Sequence, residues 1–360
     1  MASVNEEIAD RIRIHALDFE RFAAGLRRRV LELLLALEAD LIAQLRALDP
    51  TEPAVREFRE ARLERLLEQT RASIAEGYAA VNGVVLDDLG EVAEIAAVGA
   101  AAAVNEVVGA SIMTAALAPE RARALVDETM IEGAPSADWW AKQAGDAVFR
   151  FRAAVQMGYA QGETVEQIVR RVKGTRAAGY RDGVMEVTRR NATSLVHTSV
   201  QAVSNSARRE AFANNSDIIY AKLHISTLDS STTPVCRARS GLAWTLDGKP
   251  IRHNIAYNGG PPLHFRCRST EVPLLKDIDD IPNGKAARID EATQASMDGQ
   301  VPADLDFENW LKTKSKTMQV EILGPGRWEL WNAGKITMVD MVDQTGRELT
   351  LEELRKKFGL

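Results

Sequence analysis

Between Val4 and Leu48 apolar residues return every three or four positions: Ile8, Ile12, Ala16, Phe19, Phe22 and Ala23, then Val30, Leu33, Leu34, Leu37 and Leu41. Charged residues occupy the other face. That spacing puts one apolar stripe along a helix. Asp49-Pro50 stops it, because proline has no amide hydrogen and clashes with the preceding turn. A chain that begins this way needs other helices to cover the stripe, so its fold class is set toward mainly α.

The rest of the chain agrees. Glu52-Pro53 opens a second helix, read as running to about Asn82. Gly90 to Leu117 reads as a separate apolar helix, punctuated by Pro119. A short helix over 119–131 follows, then the breaker "EGAPS" with Ser136 as N-cap, then a helix over 137–160. "QGETVEQIVRRV" restarts after Gly162, with Thr164 and Gln167 as a capping box. The next helix spans 184–214 and carries Val187, Leu195, Val196, Val200, Val203 and Phe212. After it the period changes to two. "DIIYAKLHIST" reads as a strand, "GLAWTLDGKPI" as a hairpin across Asp247-Gly248, and "RSTEVPLL" as a return strand.

The expected fold is mainly α with a small α+β module: long N-terminal helices, a compact β-rich segment near 217–275 and a short helical C-terminal tail. The expected divisions are 1–134 for the helical part, 135–275 for the module, 276–302 for a polar linker and 303–360 for the tail. In that tail Gly324 and Gly334 break the helical segments, and Thr350 with Glu353 caps the last one.

Composition excludes more than it selects. A chain of 360 residues can bury a core without disulfides or metal. Its net charge of −6 offers no global attraction for nucleic acid. The start, "MASVNEEIAD", lacks a signal-peptide layout. Val92 to Ala118 is apolar, but Glu94, Asn105 and Glu106 interrupt it, leaving uncharged runs short of the ~20 residues a membrane span needs. It reads as a buried, small-residue helix. There is no P-loop, GxGxxG, HExxH or GxSxG, and "KDIDDIPNG" lacks EF-hand spacing.

Two constellations remain. Cys236 and Cys267 are the only cysteines, with His253 and His264 nearby. A structural zinc site usually takes four Cys or His ligands in close pairs. Here Arg239 and Ser269 stand where second cysteines would be. Two cysteines in a chain of this length suggest a reducing compartment, which argues against a disulfide. Catalysis by a Cys/His pair lacks substrate-binding machinery. The expectation is packed, inert cysteines, with no metal and no cofactor; Cys236, His264 and Cys267 are the weak metal candidates. The second constellation is basic. Arg170, Arg171, Lys173, Arg176, Arg181, Arg189, Arg190, Arg208 and Arg209 crowd one helical region. Such a face contacts phosphates without reading sequence, or is simply solvated.

Residues from about 150 to 275 resemble the phage Mu F-like head morphogenesis, or minor head protein, family. The matching pieces are "GETVEQIVRRV", "NSARREAFANN", "STLDSSTTPVCRARSG" and "GGPPLHFRCRS". Within them Asp229, Cys236, Gly241, Pro261, Pro262, His264, Cys267 and Arg268 sit on the family's motif. The tail, "FENWLKTKSKTMQVEILGPGRWELWNAGKI", is similar to the C-terminal extension of many phage minor head proteins. The resemblance implies a non-enzymatic minor head protein in the virion head, at the portal vertex of a tailed bacteriophage. It would be present in the host cytoplasm during assembly and act in head morphogenesis, DNA packaging or DNA delivery. The partners implied are the portal protein, the major capsid or scaffolding protein, and packaged DNA; the basic residues Arg170, Arg171, Lys173, Arg189, Arg190, Arg208 and Arg209 are the candidate contacts to DNA or to the portal. The alternatives are a non-specific DNA-binding protein and a toxin-type enzyme delivered with the phage DNA. In the family a four-cysteine cluster is expected; here half of it is replaced, so the stretch reads as a zinc-free relic.

Overall fold

The computed structural model describes residues 4–115, 117–276, 293–297, 299–302 and 304–359. Among these it contains eleven α-helices and a small antiparallel sheet, so the chain is mainly α with a small α+β module. Helix α1 is Val4–Leu48 and α2 is Arg56–Val108. The break expected between Asn82 and Gly90 does not occur. Val81, Val85, Leu89 and Val92 stay fully buried at spacings of three and four straight through it. Gly83 and Gly90 face open space. Each costs about 1 kcal/mol of helix propensity, too little to offset a continuous buried stripe. Among the described residues no helix is long and apolar enough to cross a membrane.

Helix α3 is Pro119–Glu128, and strands β1 (Met130–Ile131) and β2 (Ala134–Pro135) pair across the expected breaker. Helix α4 is Ser136–Ala160, with Pro135 rather than Ser136 at its N-cap. The Ser136 hydroxyl instead meets Ser199 Oγ at 3.1 Å. Helix α5, Val165–Lys173, carries the expected Thr164–Gln167 capping box, and α6 is Val184–Asn214. Strand β3 (Ile219–Ile225), the short helix α7 (Pro234–Arg239), and strands β4 (Ala243–Thr245), β5 (Pro250–Ile251) and β6 (Thr270–Leu275) follow. The sheet order is β5-β4-β3-β6, all antiparallel.

The chain divides into two compact units that do not follow chain order. One comprises Glu20–Glu91 and Arg123–Val200. Its two long helical segments run antiparallel: Gln44 Nε2 donates to Ser73 Oγ at 2.7 Å, and Arg29 pairs with Asp88. Gly77 lets them approach closely, since a side-chain carbon there would come within 2.9 Å of Leu37 Cδ2.

The other unit comprises Met1–Phe19, Val92–Ala122 and Gln201–Leu360. Its core joins Ile8, Ile12, Ala97, Ala101 and Val104 to Phe212, Ile219, Val272 and Leu275. One face of the apolar stretch after Val92 is therefore buried in protein, while Ile95 and Val98 on the other are exposed. One sheet face feeds this core. The opposite face carries Lys222, His224, Trp244 and Glu271, with Lys222 facing Trp244 and His224 facing Glu271 in register.

Of the segment read as linker, 277–292 lies outside the described residues. Thr293–Ser296 and Gly299–Pro302 form a hairpin, β7 and β8. The tail builds α8 (Phe307–Lys312), α9 (Lys316–Leu323), α10 (Pro325–Asn332) and α11 (Leu351–Phe358). Asp306, Ser315 and Thr350 cap three of these by accepting backbone N–H bonds. Phe307, Trp310, Leu311, Leu323, Leu330 and Leu354 form the tail's own core, together with Leu228.

Candidate metal centre

Thr233 ends a turn and Pro234 opens α7, an arrangement suited to proline's fixed φ and missing N–H. Two residues later Cys236 points inward. Cys267 follows the loop that closes over the polar sheet face. Both thiols are free and buried. Their sulfurs lie 3.7 Å apart, and His264 Nε2 is 3.3 Å from Cys236 Sγ. The three donor atoms all fall within 4.8 Å of one another.

The histidine tautomer follows from its neighbours. Nδ1 is 2.8 Å from the Phe265 carbonyl, which can only accept, so Nδ1 carries the proton. Nε2 keeps its lone pair and accepts from the Thr233 hydroxyl at 2.8 Å. The hydrogen bond between the thiols pushes Cys236 up and Cys267 down, and burial adds to the rise at Cys236 while opposing the fall at Cys267.

These donors fit a thiophilic divalent cation such as zinc. With Zn–S near 2.3 Å and Zn–N near 2.0 Å, tetrahedral geometry sets S–S at about 3.8 Å and S–N at about 3.5 Å. The Cys236–Cys267 and Cys236–His264 separations are close to these values, and Cys267 and His264 lie within 4.8 Å of each other. A proton fixed on Nδ1 by a backbone carbonyl is the outer-shell pattern of metal-bound imidazole. The relic reading counts Arg239 and Ser269 as two replaced ligands of a four-cysteine cluster. In the structure only Arg239 leaves it: that guanidinium donates to the Ala256 carbonyl at 3.3 Å and lies 5.5 Å over the Trp244 ring. Ser269 still lines the pocket, with Thr233, Cys236, His264 and Arg268. His253 is elsewhere, 2.7 Å from the Ala243 carbonyl and edge-on to Trp244.

The remaining motif residues shape this pocket and its surroundings. Arg268 grips Asp229 with two bonds, 2.6 and 2.9 Å long. Burial alone would raise the Asp229 carboxyl, but these bonds and those from Ser231 and Thr232 outweigh it and hold it below the usual range. Pro261-Pro262 is a cis bond, and the Pro261 carbonyl accepts from Arg209 at 3.2 Å. Gly241 has φ of +78° and sits against Asp306, so glycine is required on two counts.

The basic residues separate. Arg208 is 1% exposed; it donates to Thr270 Oγ1 at 2.6 Å and lies over Phe19. It cannot reach DNA or a portal surface. Arg209 serves Pro261, Ser206 and the buried Glu271. Arg189 pairs with Glu38 and Glu186, and Arg171 with Glu163. Arg170, Lys173, Arg176, Arg181 and Arg190 are exposed.

Sequence reasoning missed the polar sheet face. Tyr257 donates to Glu271 at 3.2 Å, Lys222 Nζ lies 3.8 Å from the Tyr257 ring centre, and burial pushes His224 down to about 4. The alternation of Lys222 and His224 within an apolar strand was its one visible sign.

Residues 150–272 match the family described as Phage Mu protein F like protein. That stretch runs from within α4 to within β6 and contains every motif residue from Asp229 to Arg268. No curated protein and no solved structure matches the chain. The chain thus carries a phage Mu F-like module.

Proposed function

We propose that this protein is a minor structural protein of a tailed-bacteriophage head, bound at or near the portal vertex. It serves head morphogenesis, DNA packaging or DNA delivery, has no enzymatic role, and has the portal protein as its main partner. The observation that carries this reading is the Mu F-like match over 150–272, with three of the motif residues, Cys236, His264 and Cys267, converging on one cluster. The long helices add extended surfaces for partner contacts.

The decisive experiment is cryo-electron microscopy of the purified phage, joined to mass spectrometry of its heads. The expected result is density for this chain at the portal vertex and its peptides in mature heads. Peptides confined to infected-cell extract would overturn the reading. Deleting residues 1–130 is a poor alternative: Ile8, Ile12, Ala97 and Val104 belong to the same core as Phe212 and Val272, so truncation tests folding instead of docking.

A second reading, non-specific DNA contact, draws on one observation. Glu163, Glu166 and Glu186 are ion-paired by Arg171, Arg46 and Arg189. Arg170, Lys173, Arg176 and Arg181 have no salt bridge among the described residues, and Lys173 lies 5.3 Å from the ring centre of the exposed Tyr180. If these four meet phosphate, changing all of them to Glu lowers the slope of log affinity against log salt by about 3–4. Filter binding to duplex DNA from low to moderate salt measures this. An unchanged slope excludes these residues as the contact.

A further inference from the structure

Helix α7 has two clients. Cys236 faces the three-donor pocket. The next residue, Arg237, faces the tail: its Nη1 donates to the Ile322 carbonyl at 2.9 Å, and its guanidinium lies 5.4 Å from the Phe307 ring centre. Immediately after α7, Ser240 Oγ accepts the Phe307 amide at 3.1 Å. Gly241 then packs so close to Asp306, the N-cap of α8, that an added side-chain carbon would lie 3.0 Å from its Cβ. Pro234 and Arg237 line a further cleft with Leu323, Met338, Met341 and Glu348. A six-residue helix holds only one or two turns of its own hydrogen bonds, so its position depends on what grips its sides. On the pocket side the grip consists of hydrogen bonds from Thr233 to His264, from Ser226 Oγ to the Cys236 carbonyl at 2.6 Å, and the thiol contacts.

We propose that the Cys236–His264–Cys267 pocket is a latch for the C-terminal tail: a thiophilic divalent cation bound there ties α7 to the 264–267 loop and fixes the platform on which α8 and α9 dock. The cation replaces weak thiol contacts with metal–ligand bonds on the pocket side of α7. Arg237, Ser240 and Gly241 carry that rigidity to Phe307, Asp306 and Ile322. The inference rests on the donor set described above and not on the role in the phage head.

The test uses the full chain, zinc as the probe, elemental analysis after desalting, and hydrogen–deuterium exchange. The expected result is one zinc per chain, with amide exchange in α8 and α9 at least tenfold slower than after chelator treatment of the same protein. Cys267→Ser should retain no zinc and exchange like the chelated chain. Arg237→Ala should retain zinc yet exchange fast in the tail, because it cuts the connection beyond the site. Failure of the unaltered chain to retain zinc overturns the proposal at the site. Retained zinc with tail exchange unchanged by chelation overturns the latch and leaves the site standing. Neither failure touches the assignment to the phage head, which particle imaging decides.

Discussion

Trp310→Ala is expected to destabilise the C-terminal tail by about 3–5 kcal/mol, the range for removing a large aromatic side chain from a close-packed core. Trp310 is fully buried among Phe307, Leu311, Leu323, Leu330 and Leu354, with the Phe307 ring centre 5.1 Å away. These tail helices span only six to eight residues each. Such helices are not stable alone, so their order depends on this shared core. Trp310→Phe separates volume from chemistry. The indole N–H has no hydrogen-bond partner among the described residues, so replacing it forfeits no bond. Phe should cost about 1–2 kcal/mol, mostly for the smaller ring. Exchange rates at tail amides measure both variants. A loss below about 1 kcal/mol for the alanine variant would mean the tail core is not organised around this residue.

Arg189→Met is expected to cost about 3 kcal/mol or more, because removing one partner of a buried ion pair leaves the other charge uncompensated. Glu38 is 5% exposed and paired with Arg189, which also bonds Glu186 at 3.0 Å. Burial already raises the Glu38 carboxyl above its usual range, and Arg189 opposes that rise. In the variant the opposition is gone and Glu38 holds its proton to higher pH. The folded chain then keeps a proton that the unfolded chain releases above the ordinary value of 4.5. Stability is therefore lost as pH rises through the raised value and recovers toward pH 5. Chemical denaturation at mildly acidic and at alkaline pH should show the deficit growing with pH. The double variant Glu38→Leu, Arg189→Met should cost less than the sum of the singles. Strict additivity, with no pH dependence, would show that the two residues act independently.

The residues that proved legible in the sequence are those whose structure depends on near neighbours. The stripe from Ile8 to Leu41, the stop at Asp49, the Thr164 and Thr350 capping boxes and the Asp247-Gly248 turn all involve groups within a few positions of each other. The misplaced break in α2 shows the limit of that locality. Gly83 and Gly90 look like stops by propensity, but Val81, Val85, Leu89 and Val92 are buried throughout and carry the helix past both.

The motif residues were likewise visible as a pattern, while their geometry was not. Whether Arg208 meets solvent or Thr270 depends on residues 62 positions apart. That Cys236, His264 and Cys267 converge, while Arg239 turns away to Trp244, depends on β3 pairing with both β4 and β6. The sequence by itself determined most of the helices, the Thr164 and Thr350 capping boxes, the strands of the four-stranded sheet and the identity of the donors, because those follow from periodicity and local hydrogen bonding. Only the tertiary structure decided which donors share a pocket, which arginines are spent on internal carboxylates, and that the first helix completes the core beneath the sheet. Those outcomes depend on the packing of segments far apart in the chain, which no local pattern encodes.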